Sequence, residues 1–203
     1  MGLSATHFVN AHGLDAAGMT SSAADLLVMA RAALEYPVFA EIVATRSQQI
    51  AGHDLTNTNE LLGVYPGADG VKTGTTDEAG ECLVASVSRG GHRIIAVVLG
   101  SADRYADARA LLDFAEAGWR WDSVALPDNA LAWAEGDAGH LYRLRAAASS
   151  AIFLPVWQWP LLQPIRRLDA AAPLTGASPV GALEWALAGQ IVATVPLGIL
   201  DGP

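Results

Sequence analysis

The chain has 203 residues, 52% of them hydrophobic and 16% charged, a composition that suits one full globular domain or two small ones and excludes general disorder. Its formal charge is −9. Arginines come close together only at Arg166-Arg167 and the pair Arg143 and Arg145, so nucleic acid is excluded as a partner, because phosphate binding needs clustered cations.

Met1 to His7 lack a basic region followed by a long apolar run, so no signal peptide is expected there. Ser22-Ala-Ala-Asp25 predicts a helix cap, with Leu26, Leu27, Met29, Ala30, Ala33 and Leu34 following at helical spacing until Pro37 stops the pattern. Residues 45–56, centred on Ala51-Gly52, predict a small hairpin leading into Asn57-Thr58-Asn59. Tyr65-Pro-Gly-Ala-Asp-Gly70 is dense in turn formers, and a strand is expected from Val71. The runs Cys82–Val87 and Ile94–Leu99, joined by Ser88-Arg-Gly-Gly91, read as an antiparallel hairpin. The lone cysteine, Cys82, excludes an internal disulfide and is expected to be a buried core thiol beside Leu83-Val84-Ala85. Ser101 is expected to cap a helix over roughly 102–118, with an apolar stripe of Tyr105, Leu111, Leu112, Ala115 and Trp119.

Composition shifts near Leu126-Pro-Asp-Asn129 to short apolar pieces separated by glycine and proline, including Ala171-Ala-Pro-Leu-Thr-Gly176 and Ile191 to Leu197, which predicts a β-rich module. Trp157 and Trp159 alternate with Val156 and Gln158 as in a half-buried strand. The apolar stretch Ala151 to Ile165 is interrupted by Pro155, Pro160 and Pro164 and is too short to span a bilayer, so no transmembrane span is expected.

Lys72 is the single lysine of the chain and opens Lys72-Thr73-Gly74-Thr75-Thr76 after Asp69-Gly70-Val71. One ammonium beside a hydroxyl, two glycines and a strand is a seat for a carboxylate. His7 and His12, with Asp15 nearby, have poor spacing for a metal pair and read as loop histidines. His53, His92 and His140 are isolated, no Gly-x-Ser-x-Gly elbow accompanies them, and adjacent Asp77 and Glu78 read as solvated loop carboxylates.

Four stretches, Thr6 to Leu14, Ser21 to Leu26, Tyr65 to Gly74 and Thr76 to Ser86, together resemble the D-alanyl-D-alanine carboxypeptidases of the peptidase S11 group, the low-molecular-mass penicillin-binding proteins. The extended Asp-Gly-Val-Lys-Thr-Gly-x-Thr-x-x-Ala-Gly context is what makes the Lys-Thr-Gly tripeptide specific. The resemblance implies a mixed α/β (α+β) fold: part of a penicillin-recognising serine-enzyme domain, residues 1–122, with an antiparallel sheet and flanking helices, followed by a small β-rich domain, residues 123–203. It further implies that Lys72 supplies charge for the terminal carboxylate of a peptidoglycan stem peptide ending in D-Ala-D-Ala. Thr73 then donates a hydroxyl hydrogen bond, Gly74 permits close backbone approach, and the Thr75 N–H is one of two oxyanion donors. β-Lactams are expected at the same place, in an extracytoplasmic cell-envelope setting, with no metal or organic cofactor.

No Ser-x-x-Lys or Ser-x-Asn occurs in these residues, so the sequence is expected to be the carboxyl-terminal portion of such an enzyme, inactive alone. An unpaired sheet edge then favours self-association. The alternative is a non-catalytic module that binds muropeptide or an envelope partner.

Overall fold

In the computed structural model, which describes residues 1–136, 139–172, 174 and 178–200, Ser22 opens helix α1 (Ala23–Ala33) by accepting the Asp25 N–H at 3.2 Å. Pro37 ends the periodic pattern as expected, but it also starts a second helix, α2 (Pro37–Ala44), because a proline in the first turn forfeits no helical hydrogen bond. Strands β1 (Ser47–Ile50) and β2 (His53–Thr56) form the expected hairpin. Then β3 (Ala68–Thr76), β4 (Gly80–Arg89) and β5 (His92–Ser101) build a three-stranded antiparallel sheet in the order β3-β4-β5.

Alternation along β4 decides which side of that sheet is core. Leu83, Ala85 and Val87 are buried with Ala96 and Val98 of β5, and helix α3 (Arg104–Gly118) covers them with Tyr105, Ala108 and Leu112. Full burial of one such leucine contributes about 1.5–3 kcal/mol. The helix turns slightly from its expected stripe, leaving Leu111 46% exposed. Its cap is also not Ser101. Asp103 Oδ1 accepts the N–H groups of Tyr105 and Ala106 at 3.1 and 2.9 Å, while the Ser101 hydroxyl instead accepts the Asp103 N–H and bonds Asp107. Aspartate wins because its side chain sits one residue before the first helical one.

The chain divides into two units, Met1–Glu116 and Ala117–Pro203. The sequence boundary at 122/123 cuts through strand β6 (Trp119–Val124), which pairs along its whole length with β9 (Ser150–Pro155) of the second unit. The rest of that unit is a five-stranded antiparallel sheet. It is made of β7 (Trp133–Glu135), β8 (Leu141–Ala146), β10 (Gln163–Leu168), β11 (Gly181–Leu187) and β12 (Gln190–Ile199), in the order β10-β11-β12-β8-β7. Leu144, Val180, Leu183, Leu197 and Ile199 form its main core, and Val124, Ile152 and Val195 a second cluster. Trp157 and Trp159 are not on a strand. They lie in a 3-10 helix, Val156–Leu161, preceded by Pro155 and containing Pro160, neither of which can donate to a ladder. Trp159 packs on the second cluster under the Arg120 guanidinium at 4.5 Å, whereas Trp157 is 68% exposed. Of the segment expected to punctuate this module, Pro173, Thr175 and Gly176 lie outside the described residues.

Two hairpins of different units turn on Ala-Gly, Ala51-Gly52 and Ala188-Gly189, with positive φ at both residues. Alanine is poorly suited to the first position, which favours asparagine or glycine. Ala188→Asn is therefore expected to stabilise the second unit by about 0.5–1 kcal/mol, read as a raised melting temperature. Gly181 carries the opposite constraint, because a Cβ there would lie 2.1 Å from the Arg167 carbonyl oxygen. Gly181→Ala should break the β10–β11 pairing and lower the melting temperature sharply, by the equivalent of about 2 kcal/mol or more.

Candidate functional site: a cleft along strand β3

The run singled out in the sequence occupies the second half of β3. Lys72 pairs in register with Val84 and Gly74 with Cys82, so these positions share the face of the sheet opposite the α3 core. On that face lies a cavity of about 730 Å³ between residues 8–21 and strands β3 and β4; His12, Asp15, Leu26, Lys72, Gly74 and Cys82 are among its walls. Cys82 is thus half-buried at a cavity wall and not a core thiol. Its register partner is glycine, which has no side chain to cover it.

Each member of the run is held differently. Lys72 is exposed, its Nζ donates to the Thr73 carbonyl, and among the described residues it forms no ion pair. The Thr73 hydroxyl shares a 2.7 Å hydrogen bond with the Thr58 hydroxyl, and the Thr58 carbonyl accepts Tyr105 Oη–H at 2.6 Å. At Gly74 a Cβ would meet open space, so a ligand backbone has room to approach. Thr75 Oγ1 accepts from Arg104 Nη1 at 2.7 Å, and the same nitrogen donates to the Gly74 carbonyl at 2.9 Å.

Two supports fix where β3 runs. The buried Asn59 amide donates to the Gly70 carbonyl at 3.0 Å and its oxygen accepts the Leu61 N–H at 3.2 Å. Asn57 in turn orders the loop by accepting the Asn59 N–H at 2.9 Å. Asp69 sits at the bulge between Ala68 and Gly70 and reaches across the sheet, accepting Ser88 Oγ–H at 2.6 Å and Arg93 Nη2–H at 2.9 Å. Burial by itself would push the Asp69 carboxyl up, but hydroxyls from Ser88 and Ser86 and the Arg93 guanidinium outweigh it and hold its pKa below the usual value of 3.8. Ser86 is fully buried and leans on this carboxylate without a full hydrogen bond of its own.

The histidines do not join the site chemistry as ligands. His7 bridges its backbone to Thr20, and His12 Nδ1 accepts the Leu14 N–H at 3.2 Å. Among the described residues no group of three or more His, Cys, Asp or Glu side chains could hold a metal ion. Asp15 accepts the Glu78 N–H at 3.2 Å, tying the amino-terminal segment to the loop after β3. Arg104, Asn59 and the Asp69 clamp were not singled out from sequence. The only local signal was the string Asn57-Thr58-Asn59, and nothing local marks Arg104, which is 29 residues from Thr75.

A lysine-threonine-glycine strand thus lines a cleft and is backed by a helix on the other face of an antiparallel sheet. The family model for D-alanyl-D-alanine carboxypeptidase, peptidase S11, matches residues 1–103, and the chain belongs to that family. It is 42% identical over 123 residues to the D-alanyl-D-alanine carboxypeptidase DacF of Bacillus subtilis, a match over 57% of this chain and 32% of that protein. To DacC of Escherichia coli it is 30% identical over 217 aligned positions, covering 99% of this chain and 53% of that protein. The structure of penicillin binding protein 6B from Escherichia coli superposes with a TM-score of 0.65 at 31% identity, over 94% of this chain and 54% of that one. The chain thus spans roughly a third to a half of these curated relatives. The likeness to protein 6B covers both units, so the fold is a mixed α/β penicillin-recognising part followed by a β-rich part.

Asn59→Ala should cost about 2–4 kcal/mol, since it strands the Gly70 carbonyl and the Leu61 N–H without partners. Denaturant unfolding checks it. Because the Asp69 pKa is depressed in the folded state, its contribution is present above pH 3.8 and is lost as pH falls through the lower folded value. Acid unfolding of Asp69→Asn should accordingly start from a less stable protein and fall less steeply below that pH.

Proposed function

We propose that the first unit, Met1–Glu116, is the carboxyl-terminal part of the catalytic domain of a serine-type D-Ala-D-Ala carboxypeptidase, that the second, Ala117–Pro203, is its β-rich domain, and that β3 binds the peptidoglycan stem peptide. The observation that carries this reading is the seat of Lys72, the only lysine of the chain, exposed beside a cavity and unpaired with any described carboxylate. An extended peptide lies along the outer edge of β3 as an added strand. Lys72 supplies charge to its terminal carboxylate, Thr73 donates its hydroxyl, and Gly74 lets the backbone close in. Arg104, resting on Gly74 and Thr75, brings a second positive charge to the same strand. The Thr75 N–H is one donor to the oxyanion that forms when serine attacks the penultimate carbonyl, and loss of such a donor costs about 100- to 1,000-fold.

The serine and its general base are not among these residues, since no Ser-x-x-Lys is present. The acyl-serine step therefore needs a further segment of the enzyme, and the chain by itself performs the binding half of the reaction, which is also what a non-catalytic muropeptide module would do. β-Lactams enter as analogues of the D-Ala-D-Ala end, in the cell envelope where peptidoglycan lies. No step requires a metal or organic cofactor.

Incubated alone with a fluorescent penicillin, the chain should show no stoichiometric covalent adduct by intact mass; a serine adduct would refute the division of labour. Joined to a serine-bearing amino-terminal segment, Lys72→Ala should lose about 2–5 kcal/mol, or roughly 30- to 5,000-fold in acylation and D-alanine release, at unchanged circular dichroism. Thr73→Val removes a neutral donor and should cost about 1–2 kcal/mol. Parent rates for Lys72→Ala would make it a surface lysine and end this assignment.

A further inference from the structure

Strand alternation separates Thr73 from its neighbours in the run. Lys72 and Gly74 face the cavity, while Thr73 lies in register with Leu83, whose side chain belongs to the core under α3. Thr73 is half-buried, and among the described residues its hydroxyl has a single hydrogen-bond partner, the Thr58 hydroxyl at 2.7 Å. Thr58 is itself fixed by its surroundings. Its carbonyl accepts Tyr105 Oη–H at 2.6 Å, from a tyrosine packed in the α3 core. Before it in the chain, Asn57 Nδ2 donates to the Val43 and Thr45 carbonyls; after it, Asn59 bonds the Gly70 carbonyl and the Leu61 N–H. A loop held in this way presents one exposed hydroxyl, and that hydroxyl has no other hydrogen-bond partner among the described residues.

We propose that Thr58 is a positioning residue for anion recognition on β3: its hydroxyl donates to Thr73 Oγ1 and so leaves the Thr73 proton for an oxygen of a ligand carboxylate. This rests on the substrate-wall reading. Thr73 borders the cavity as well as the Thr58 loop, so one oxygen serves both sides of an edge strand. The two hydroxyls hold two protons and share one contact, in which either oxygen has the geometry to donate. A carboxylate only accepts. If Thr73 spends its proton on Thr58, it turns lone pairs toward the ligand and repels it; if Thr58 donates, the Thr73 proton is free and the two hydrogen bonds strengthen each other in series. The same contact restricts Thr73 to one staggered χ1 position before a ligand arrives, so less rotational freedom is lost on binding. Threonine and serine at position 58 meet these requirements, and valine, of the same shape, does not.

The test uses the 203-residue chain and two peptides, diacetyl-L-lysyl-D-alanyl-D-alanine and its carboxyl-terminal amide, titrated while the Gly74 and Thr75 amide resonances are followed. Thr58→Val keeps the carbonyl that Tyr105 needs, and should weaken the acid about three- to tenfold, the size of one hydroxyl hydrogen bond. The amide should be unaffected, because its own NH2 can donate to Thr73. Thr58→Ser should restore wild-type affinity for the acid, Thr58→Ala should behave as the valine does, and in a Thr73→Val background Thr58→Val should have no further effect. In a separate arm without ligand, the Thr73 Hα–Hβ coupling should report one rotamer in wild type and an average in Thr58→Val. Wild-type affinity for the acid in Thr58→Val, an equal loss for acid and amide, or the same loss in the Thr73→Val background overturns the recognition role, and an unchanged coupling overturns the positioning role. If the wild-type chain binds neither peptide, the substrate-wall reading falls and the recognition role with it, and the coupling still decides whether Thr58 orients Thr73.

Discussion

The buried hydrogen bond from Asn59 to the Gly70 carbonyl is the constraint on which the cleft depends. Among the described residues strand β3 has a strand neighbour on one side only, β4, and its other edge is unpaired. An edge strand of this kind is free to fray or slip unless something other than a ladder fixes it. Asn59 supplies that from the end, where β3 begins, and Thr58 adds a second tether through the Thr73 hydroxyl. Because the Asn59 amide is buried and satisfied through both its oxygen and its nitrogen, the tether is directional and hard to replace with water.

Asp69 does similar work across the sheet. The bulge at Ala68–Gly70 would leave β3 to twist independently, but one carboxylate oxygen joins Ser88 of β4 to Arg93 of β5, so the three strands turn as a unit. The side chains along β3 then need little further orientation. Lys72 emerges on the cavity face because Val71 before it is drawn into the core, and a strand presents successive side chains to opposite faces.

Charge is distributed with the same economy. A chain of net charge −9 repels anions at long range, yet strand β3 gathers Lys72 and Arg104, with Glu81 across from Thr75 and Asp15 and Glu78 in the cavity walls. Exposed ion pairs elsewhere, such as Arg120 with Asp122 and Arg143 with Asp128, are solvated and worth little.

Sequence alone determined what periodicity and turn chemistry can determine: the Ser22-capped helix, the hairpins at Ala51-Gly52 and Gly90-Gly91, the change to β-structure in the second half, and the Lys72–Thr75 run. These depend on residues a few positions apart, so a local reading reaches them. Where the competing factors were also local but finely balanced, it left out the helix that Pro37 opens, and it misjudged the cap, where Asp103 displaces Ser101, and the prolines that fold Trp157 and Trp159 into a 3-10 turn. Only the tertiary structure decided which face of β4 was core, and hence that Cys82 lines a cavity opposite a glycine. It alone brought Asn59 to Gly70, Asp69 to Arg93 and Arg104 to Thr75. Those contacts join residues 11 to 29 positions apart, and they are fixed by strand register and helix packing, which no short window of sequence encodes.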